Sequence, residues 1–426
     1  MIYTITPPES IHAKIRLPAS KSISNRMLIL NALSKSNYPI ENLSDSDDTQ
    51  VLKNALDSVN AGKKDFDIGA AGTSMRFLTA YLAQSEGEWT ITGSERMKNR
   101  PIRLLVDSLR KIGGKIDYLG KDGFPPLKIY GRKLSGGKIS LDGGISSQYL
   151  SALMMIAPLT QQGLDISLEG NIISRPYIDM TAHLMQSFGV NIFQNEHHIR
   201  IEPQIYKPVL FTIENDWSAA SYWYEIVALA GDSANVELTG LEENSIQGDA
   251  KVAKLFEAIP IHGTRITQIR RICADNKSET SIIFNNKKNL CKPALSVSSA
   301  FRSDFTNEPD LAQTLAVTCC LLNIPFHFTG LQSLRIKETD RISALQIELK
   351  KLGYIVKASG SAMEWGGERC EAENDPVIST YEDHRMAMAF APVCLKTGKI
   401  KIKNPEVVSK SYPGFWDDLR RAGFNL

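Results

Sequence analysis

Charged and hydroxyl-bearing side chains are concentrated in a few short stretches of this chain. Arg335, Lys337, Glu338, Asp340 and Arg341 all fall within "RIKETDR". "YEDHRMAM" sets Asp383, His384 and Arg385 side by side at the mouth of an apolar run, and "VVSKSYP" adds Lys410. Nearer the start, "PASKSISNR" offers Lys21, Ser22, Ser24 and Arg26. "GAAGTSMR" is a small-residue turn through Gly72 to Arg76, and "RMKNRPIR" gathers four cations around Pro101. "ISSQYL" and "ISRPYI" supply Ser146, Ser147, Gln148, Ser174 and Tyr177 without charge. Arginine grips phosphate and carboxylate bidentately, while lysine acts as a point charge. Many cations with a few carboxylates therefore suit a polyanionic substrate and acid–base chemistry. Each stretch alone reads equally well as a helix cap, a tight turn or a solvated helix entrance. Carboxylates such as Asp310 and Glu338 are driven toward ionisation by neighbouring cations and away from it by desolvation, and composition leaves that balance open.

The elements that must position these residues recur. A strand-like alternation ends near Gly or Asn, a polar loop follows, and an amphipathic helix runs on to another strand. "WTITGSERMKNRPIRLLVDSLRKIGGKI" and "FHFTGLQSLRIKETDRISALQIELKKLGYIV" are two of six such instances. In both, Leu and Ile recur at helical spacing and a terminal Gly is placed to cap the helix. Six more apolar helices interleave with them: "SKSISNRMLILNAL", "AGTSMRFLTAYLA", "SSQYLSALMMIAPL", "DWSAASYWYEIVALAG", "PDLAQTLAVTCCLLN" and "DHRMAMAFAPVCLKTG". Helices apolar on most faces belong in a core. Their small or polar starts present unpaired N–H groups and partial positive charge to anions. Six units divide as three plus three, in an α/β protein. The stretch 263–304 fits the repeat poorly and reads as strands with an elaborated hairpin or surface loop.

Composition excludes several classes. With 426 residues and 42% hydrophobic content the chain can bury more than one core. A net charge of +2 gives no basic field for nucleic acid. Pro7, Pro8 and Glu9 stand where a secretory signal needs an apolar run. No apolar stretch reaches the roughly 18 to 20 residues of a membrane span. The six cysteines, at 273, 291, 319, 320, 370 and 394, form no CxxC pair, which suits a reduced, cytoplasmic protein without a structural metal.

The quoted motifs, together with "GGISSQYL", "SRPYID" and "SKSYPGF", resemble the 5-enolpyruvylshikimate-3-phosphate (EPSP) synthases of the enolpyruvyl transferase family, in order and spacing from about residue 11 to 416. The resemblance implies two similar domains, each of three βαβαββ copies, with buried helices pointing their N-termini at an interdomain cleft. One domain is then 21–214 and the other 1–20 with 215–426. It implies transfer of the enolpyruvyl group of phosphoenolpyruvate to the 5-hydroxyl of shikimate 3-phosphate through a tetrahedral ketal, without cofactor or metal, in a cytoplasmic monomer. Carried over, Lys21 contacts both substrates. Ser22 and Arg26 hold the shikimate carboxylate side, and Tyr177 lines the shikimate pocket. Ser146, Ser147 and Ser174 hold the 3-phosphate with Lys337, and Gln148 lies between the substrates. Gly72, Arg100, Arg341, Arg385 and Lys410 bind phosphoenolpyruvate. Asp310 is the base on the 5-hydroxyl, Glu338 and Lys21 are the candidates for protonating C3, and His384 supports Glu338 and the carboxylate region.

Three positions depart from the family pattern. Ala70 stands where Asn is usual, Ser333 where Asn is common, and Phe77 where Pro or Leu is frequent, which leaves the response to the inhibitor glyphosate open. The nearest alternative is the sister transferase acting on UDP-N-acetylglucosamine, which places a catalytic Cys in the loop corresponding to 93–101; no Cys occurs there. A non-catalytic anion-binding relative is disfavoured by the presence of Asp310, Glu338 and Lys21. An RNA-end-processing enzyme of related architecture is disfavoured by the neutral charge balance.

Overall fold

The computed structural model describes residues 1–144, 146–260, 272–273, 280–285 and 300–426. They divide into two compact units, Ala19–Ile213 and Met1–Pro18 with Glu214–Leu426. The boundaries expected from sequence lie two residues and one residue later. Ser20 caps the helix Lys21–Leu33 and goes with it. Glu214 accepts a hydrogen bond from Ser245 Oγ at 2.7 Å and goes with the later segment.

In the unit Ala19–Ile213, the strands Asp65–Asp67, Gly87–Thr92, Lys115–Tyr118 and Leu127–Gly131 form a sheet in the spatial order first, second, fourth, third. The first pair is parallel and therefore needs a crossover, which the helix Gly72–Gln84 supplies. The helix Arg103–Lys111 then leads into the antiparallel pairs. The same order recurs in Gly137–Asp142, Leu164–Glu169, Phe193–Gln194 and His198–Ile201, with helices Ser147–Ile156 and Arg175–Ser187. A third copy is abbreviated: Ile40–Glu41 pairs in parallel with Phe211–Thr212, beside helices Lys21–Leu33 and Asp47–Asn60.

The other unit is built alike. Ile11–Arg16, Ala234–Leu241, Ile272–Cys273 and Thr280–Asn285 make one four-stranded sheet with helices Trp217–Ala230 and Val252–Ala258. Phe301–Asp304, Phe326–Thr329, Lys357–Ser359 and Ala362–Trp365 make another, with Ala312–Leu321 and Arg341–Lys351. The abbreviated copy has Val377–Ile378, Ile400–Lys403 and Ile2–Ile5, with helices His384–Phe390 and Phe415–Arg421. Most of 263–304, read from sequence as a hairpin or loop, lies outside the described residues.

The local physics follows the sequence pattern. Leu164–Glu169 alternates buried and accessible residues, as a strand with one covered face must. Arg103–Lys111 buries Leu105, Val106 and Leu109 on one stripe, and each such side chain contributes about 1.5–3 kcal/mol. Gly113 ends that helix at φ +99°, and Gly114 N–H returns to Leu109 O at 2.8 Å, closing a left-handed cap. Ala312–Leu321 is buried on every face, as its composition requires. Among the described residues, no helix is long and apolar enough to cross a membrane.

Candidate active site

In the unit Ala19–Ile213, three buried helices start at residues singled out from sequence. Lys21 opens Lys21–Leu33, Gly72 opens Gly72–Gln84, and Ser146 caps Ser147–Ile156. Their first turns are tied together. Lys21 Nζ lies 3.4 Å from Asp48 Oδ2, and Ser74 Oγ donates to Asp48 O at 2.9 Å. Gln148 Nε2 donates to Thr73 Oγ1 at 3.1 Å, while Ser146 Oγ accepts from Gln148 N–H at 3.4 Å. Neighbouring helix starts concentrate N–H donors and positive potential, the setting an anion requires.

Arg76 and Arg100 meet at the same place. A Cβ on Gly72 would sit 2.5 Å from Arg100 Nη1 and 2.9 Å from Arg76 Nη1, so glycine is what leaves room for both guanidiniums. Both arginines are buried, and Arg100 Nε has no hydrogen-bond partner among the described residues. Arg26 is also buried. It donates to Thr181 Oγ1 at 2.7 Å, Ser151 Oγ at 3.0 Å, Ser22 O at 3.0 Å and Tyr177 O at 3.3 Å. Burial lowers its pKa to about 10. Ser174 caps Arg175–Ser187 from the left-handed region, at φ +54°. A non-glycine residue there is held by its surroundings, and such residues gather at ligand-binding turns.

In the other unit, a second cluster is organised by Arg341. Its Nε donates to Asp383 Oδ2 at 2.6 Å, Nη1 to Asp310 Oδ1 at 2.7 Å, and Nη2 to Glu338 Oε2 at 2.9 Å and Asp383 Oδ1 at 3.3 Å. Arg385 Nη2 lies 3.3 Å from Asp310 Oδ2, and Lys337 Nζ lies 3.5 Å from Asp310 Oδ1. Burial alone would push the Asp310 carboxyl pKa up. Arg385, Lys337 and Arg341 together outweigh burial and hold it well below the usual carboxylate range. Arg341 shifts the other way: burial disfavours its charge, and its three carboxylates more than restore it. His384 is buried with Nδ1 4.0 Å from Asp383 Oδ1, and Lys410 Nζ donates to Glu382 O at 3.0 Å.

A family model described as EPSP synthase (3-phosphoshikimate 1-carboxyvinyltransferase) matches residues 5–66 and 55–419. A Bacteroides fragilis 3-phosphoshikimate 1-carboxyvinyltransferase is 52% identical over 428 residues, covering 100% of this chain and 99% of the relative. The chain belongs to the EPSP synthase family. A relative of the same name from Vibrio campbellii is 35% identical, with 98% of each chain covered. Among solved structures, an EPSP synthase from Acinetobacter baumannii aligns with a TM-score of 0.76 at 21% identity, covering 100% of this chain and 99% of that one. The enolpyruvyl transferase NikO from Streptomyces tendae gives 0.69 at 16%, covering 100% and 97%. These two likenesses carry the two-domain α/β fold.

Against this EPSP synthase background, the structure gives one of the departures physical content. Phe77 is fully buried, and the Arg26 guanidinium lies 5.4 Å from its ring centroid. Asp48 and Asp249 were not singled out from sequence, and Asp383 was noted there only by its place beside His384 and Arg385. Asp48 faces Lys21 from the acid-rich "SDSDDTQ", a recognisable helix start. Asp383 accepts from Arg385 N–H and anchors Arg341, a role its cap position alone did not reveal. Asp249 is buried beside Ser218, whose hydroxyl donates to it and which itself accepts from Arg385 Nη2 at 3.4 Å. Burial raises Asp249 to about 7 despite Arg385. Nothing in "QGDAK" marks that environment.

Proposed function

We propose that this chain transfers the enolpyruvyl group of phosphoenolpyruvate to the 5-hydroxyl of shikimate 3-phosphate, releasing phosphate on the route to chorismate and the aromatic amino acids. The supporting observation is the full-length, 52% identical relative named for that reaction. In this reading Ser146, Ser147 and Ser174 take the 3-phosphate with Lys337. Ser22 and Arg26 serve the shikimate carboxylate, and Tyr177 lines the ring. Gly72, Arg100, Arg341, Arg385 and Lys410 take phosphoenolpyruvate, with His384 beside its carboxylate. Lys21 and Gln148 serve both substrates.

Asp310 accepts the 5-hydroxyl proton as that oxygen adds to C2, and Glu338 or Lys21 delivers a proton to C3. The ketal then loses phosphate as C3 is deprotonated. In the unloaded protein Asp310 is a weak base because three cations surround it. Substrate anions that engage Lys337 and Arg385 raise its proton affinity, so the base is made stronger by the molecules it acts on.

The test is phosphate release from phosphoenolpyruvate, which should require shikimate 3-phosphate. Turnover with UDP-N-acetylglucosamine in its place would overturn the reading. The proposal includes a cytoplasmic monomer, which should elute near the chain mass of 47.2 kDa.

A further inference from the structure

The helix Arg341–Lys351 holds the segment Ser379–Asp383 at two points. Arg341, in its first turn, binds Asp383. Glu348 lies seven residues on, two turns along the same face and about 10 Å away at 1.5 Å per residue. Its carboxylate is fully buried. Oε1 accepts from Tyr381 O–H at 2.6 Å, Oε2 accepts from Ser379 N–H at 3.1 Å, and the Lys351 ammonium forms an ion pair with Oε2 at 2.7 Å. Lys351 Nζ also donates to Val377 O at 2.8 Å.

The segment so held is unusual. Tyr381 and Glu382 are consecutive non-glycine residues at φ +54° and +57°. Two adjacent left-handed residues persist only where the surroundings over-determine them. The turn closes with Asp383 N–H donating to Thr380 O at 2.8 Å. It delivers Asp383, His384 and Arg385 to the helix start, and Glu382 O receives the Lys410 ammonium at 3.0 Å.

We propose that Glu348 is a positioning residue for the transferase reaction: through Tyr381 and Ser379 it fixes the left-handed turn that places Asp383, Arg385 and the Lys410 contact. Glu348 touches no substrate and acts through the turn. This rests on the assignment of Arg385 and Lys410 to phosphoenolpyruvate. Tyr381 is suited to its part, since burial and the Glu348 hydrogen bond keep its phenol protonated far above neutral pH.

Three variants test it by steady-state kinetics. Glu348→Ala should raise the KM for phosphoenolpyruvate about tenfold or more, the loss expected when charge-assisted hydrogen bonds are removed. The KM for shikimate 3-phosphate should change less than about twofold. Tyr381→Phe, which keeps the Glu348–Lys351 pair, should shift the same constant in the same direction by less. Glu348→Gln, whose amide oxygen still accepts from Tyr381, should recover part of the loss. A purely structural role would lower Tm and leave both KM values alone, and that outcome would overturn the proposal, as would an equal rise in both. If Glu348→Ala fails to fold, Tyr381→Phe decides. Lys410→Ala separates the two ideas. An unchanged phosphoenolpyruvate KM there removes Lys410 from the substrate, whereas unchanged constants in the Glu348 and Tyr381 variants remove the positioning role.

Discussion

Gly72 is glycine because two arginines occupy the space a side chain would need. Its φ is not in the left-handed region, so the constraint is the 2.5 Å and 2.9 Å approach of Arg100 Nη1 and Arg76 Nη1 to a Cβ. Gly72→Ala must push at least one guanidinium aside. The expected result is a phosphoenolpyruvate KM raised about tenfold with the fold intact, seen as an unchanged Tm, since the energetic change sits in one ligand contact. Asp310→Asn keeps the size of the side chain and removes the base. It should lower kcat by about 100- to 10,000-fold while shikimate 3-phosphate still binds, measurable by single turnover and by calorimetry. The stretches that carry the candidate site residues stood out in the sequence because cations, hydroxyls and carboxylates cluster there, and only the family resemblance attached roles to them. Their pairings were not legible there. That Arg341 spends four N–H contacts on three carboxylates depends on Asp310, Glu338 and Asp383 arriving from separate elements. Arg335 and Asp340 are framework: Asp340 accepts from Ser343 N–H at the helix start and from Arg335 Nη1 at 3.1 Å.

At the scale of elements, the outer helices were readable from their amphipathic period and the inner ones from apolar runs with small or polar starts. The abbreviated sheets were not. Ile40–Glu41 and Phe211–Thr212 are two residues each and pair across a long separation, so neither carries a local signal. A fully apolar helix also conceals the polar groups inside it. Glu225, on Trp217–Ala230, is fully buried, with Oε1 accepting from Thr318 Oγ1 at 3.3 Å and Oε2 without a hydrogen-bond partner among the described residues. Burial raises its pKa well above the ordinary value and only the Thr318 bond opposes this. The folded state therefore keeps a proton that the unfolded chain releases above its normal pKa of about 4.3. Stability from this group is complete below that pH and declines as pH rises toward the folded pKa, by up to about 1.4 kcal/mol per pH unit. Glu225→Gln should flatten that decline. Thermal melts from pH 5 to 9 should show Tm falling less steeply in the variant than in the wild type, and parallel curves would mean that Glu225 is not buried as a neutral acid.

At the scale of the whole molecule, the two units differ in how the chain supplies them. Ala19–Ile213 is continuous, whereas its counterpart needs Met1–Pro18 in addition to Glu214–Leu426. The first eighteen residues are structural. Ile2–Ile5 pairs with Ile400–Lys403, and Ile11–Arg16 runs parallel to Ala234–Thr239, so they complete two of the three sheets that the described residues of that unit form. Ile5, Ile11, Ile15 and Leu17 are buried in its core. A fragment beginning at Glu214 would expose the edge of Ala234–Leu241 and leave those four side chains' places empty, which favours aggregation. The remedy is short. Pro18 O already accepts from Asp216 N–H at 2.8 Å, so residues 1–18 can be joined to 214 through two glycines. The joined chain should be monomeric by size exclusion and melt cooperatively, while 214–426 alone should be insoluble or lack a thermal transition. Equal melting of the two would show that the amino-terminal strands are dispensable to the unit.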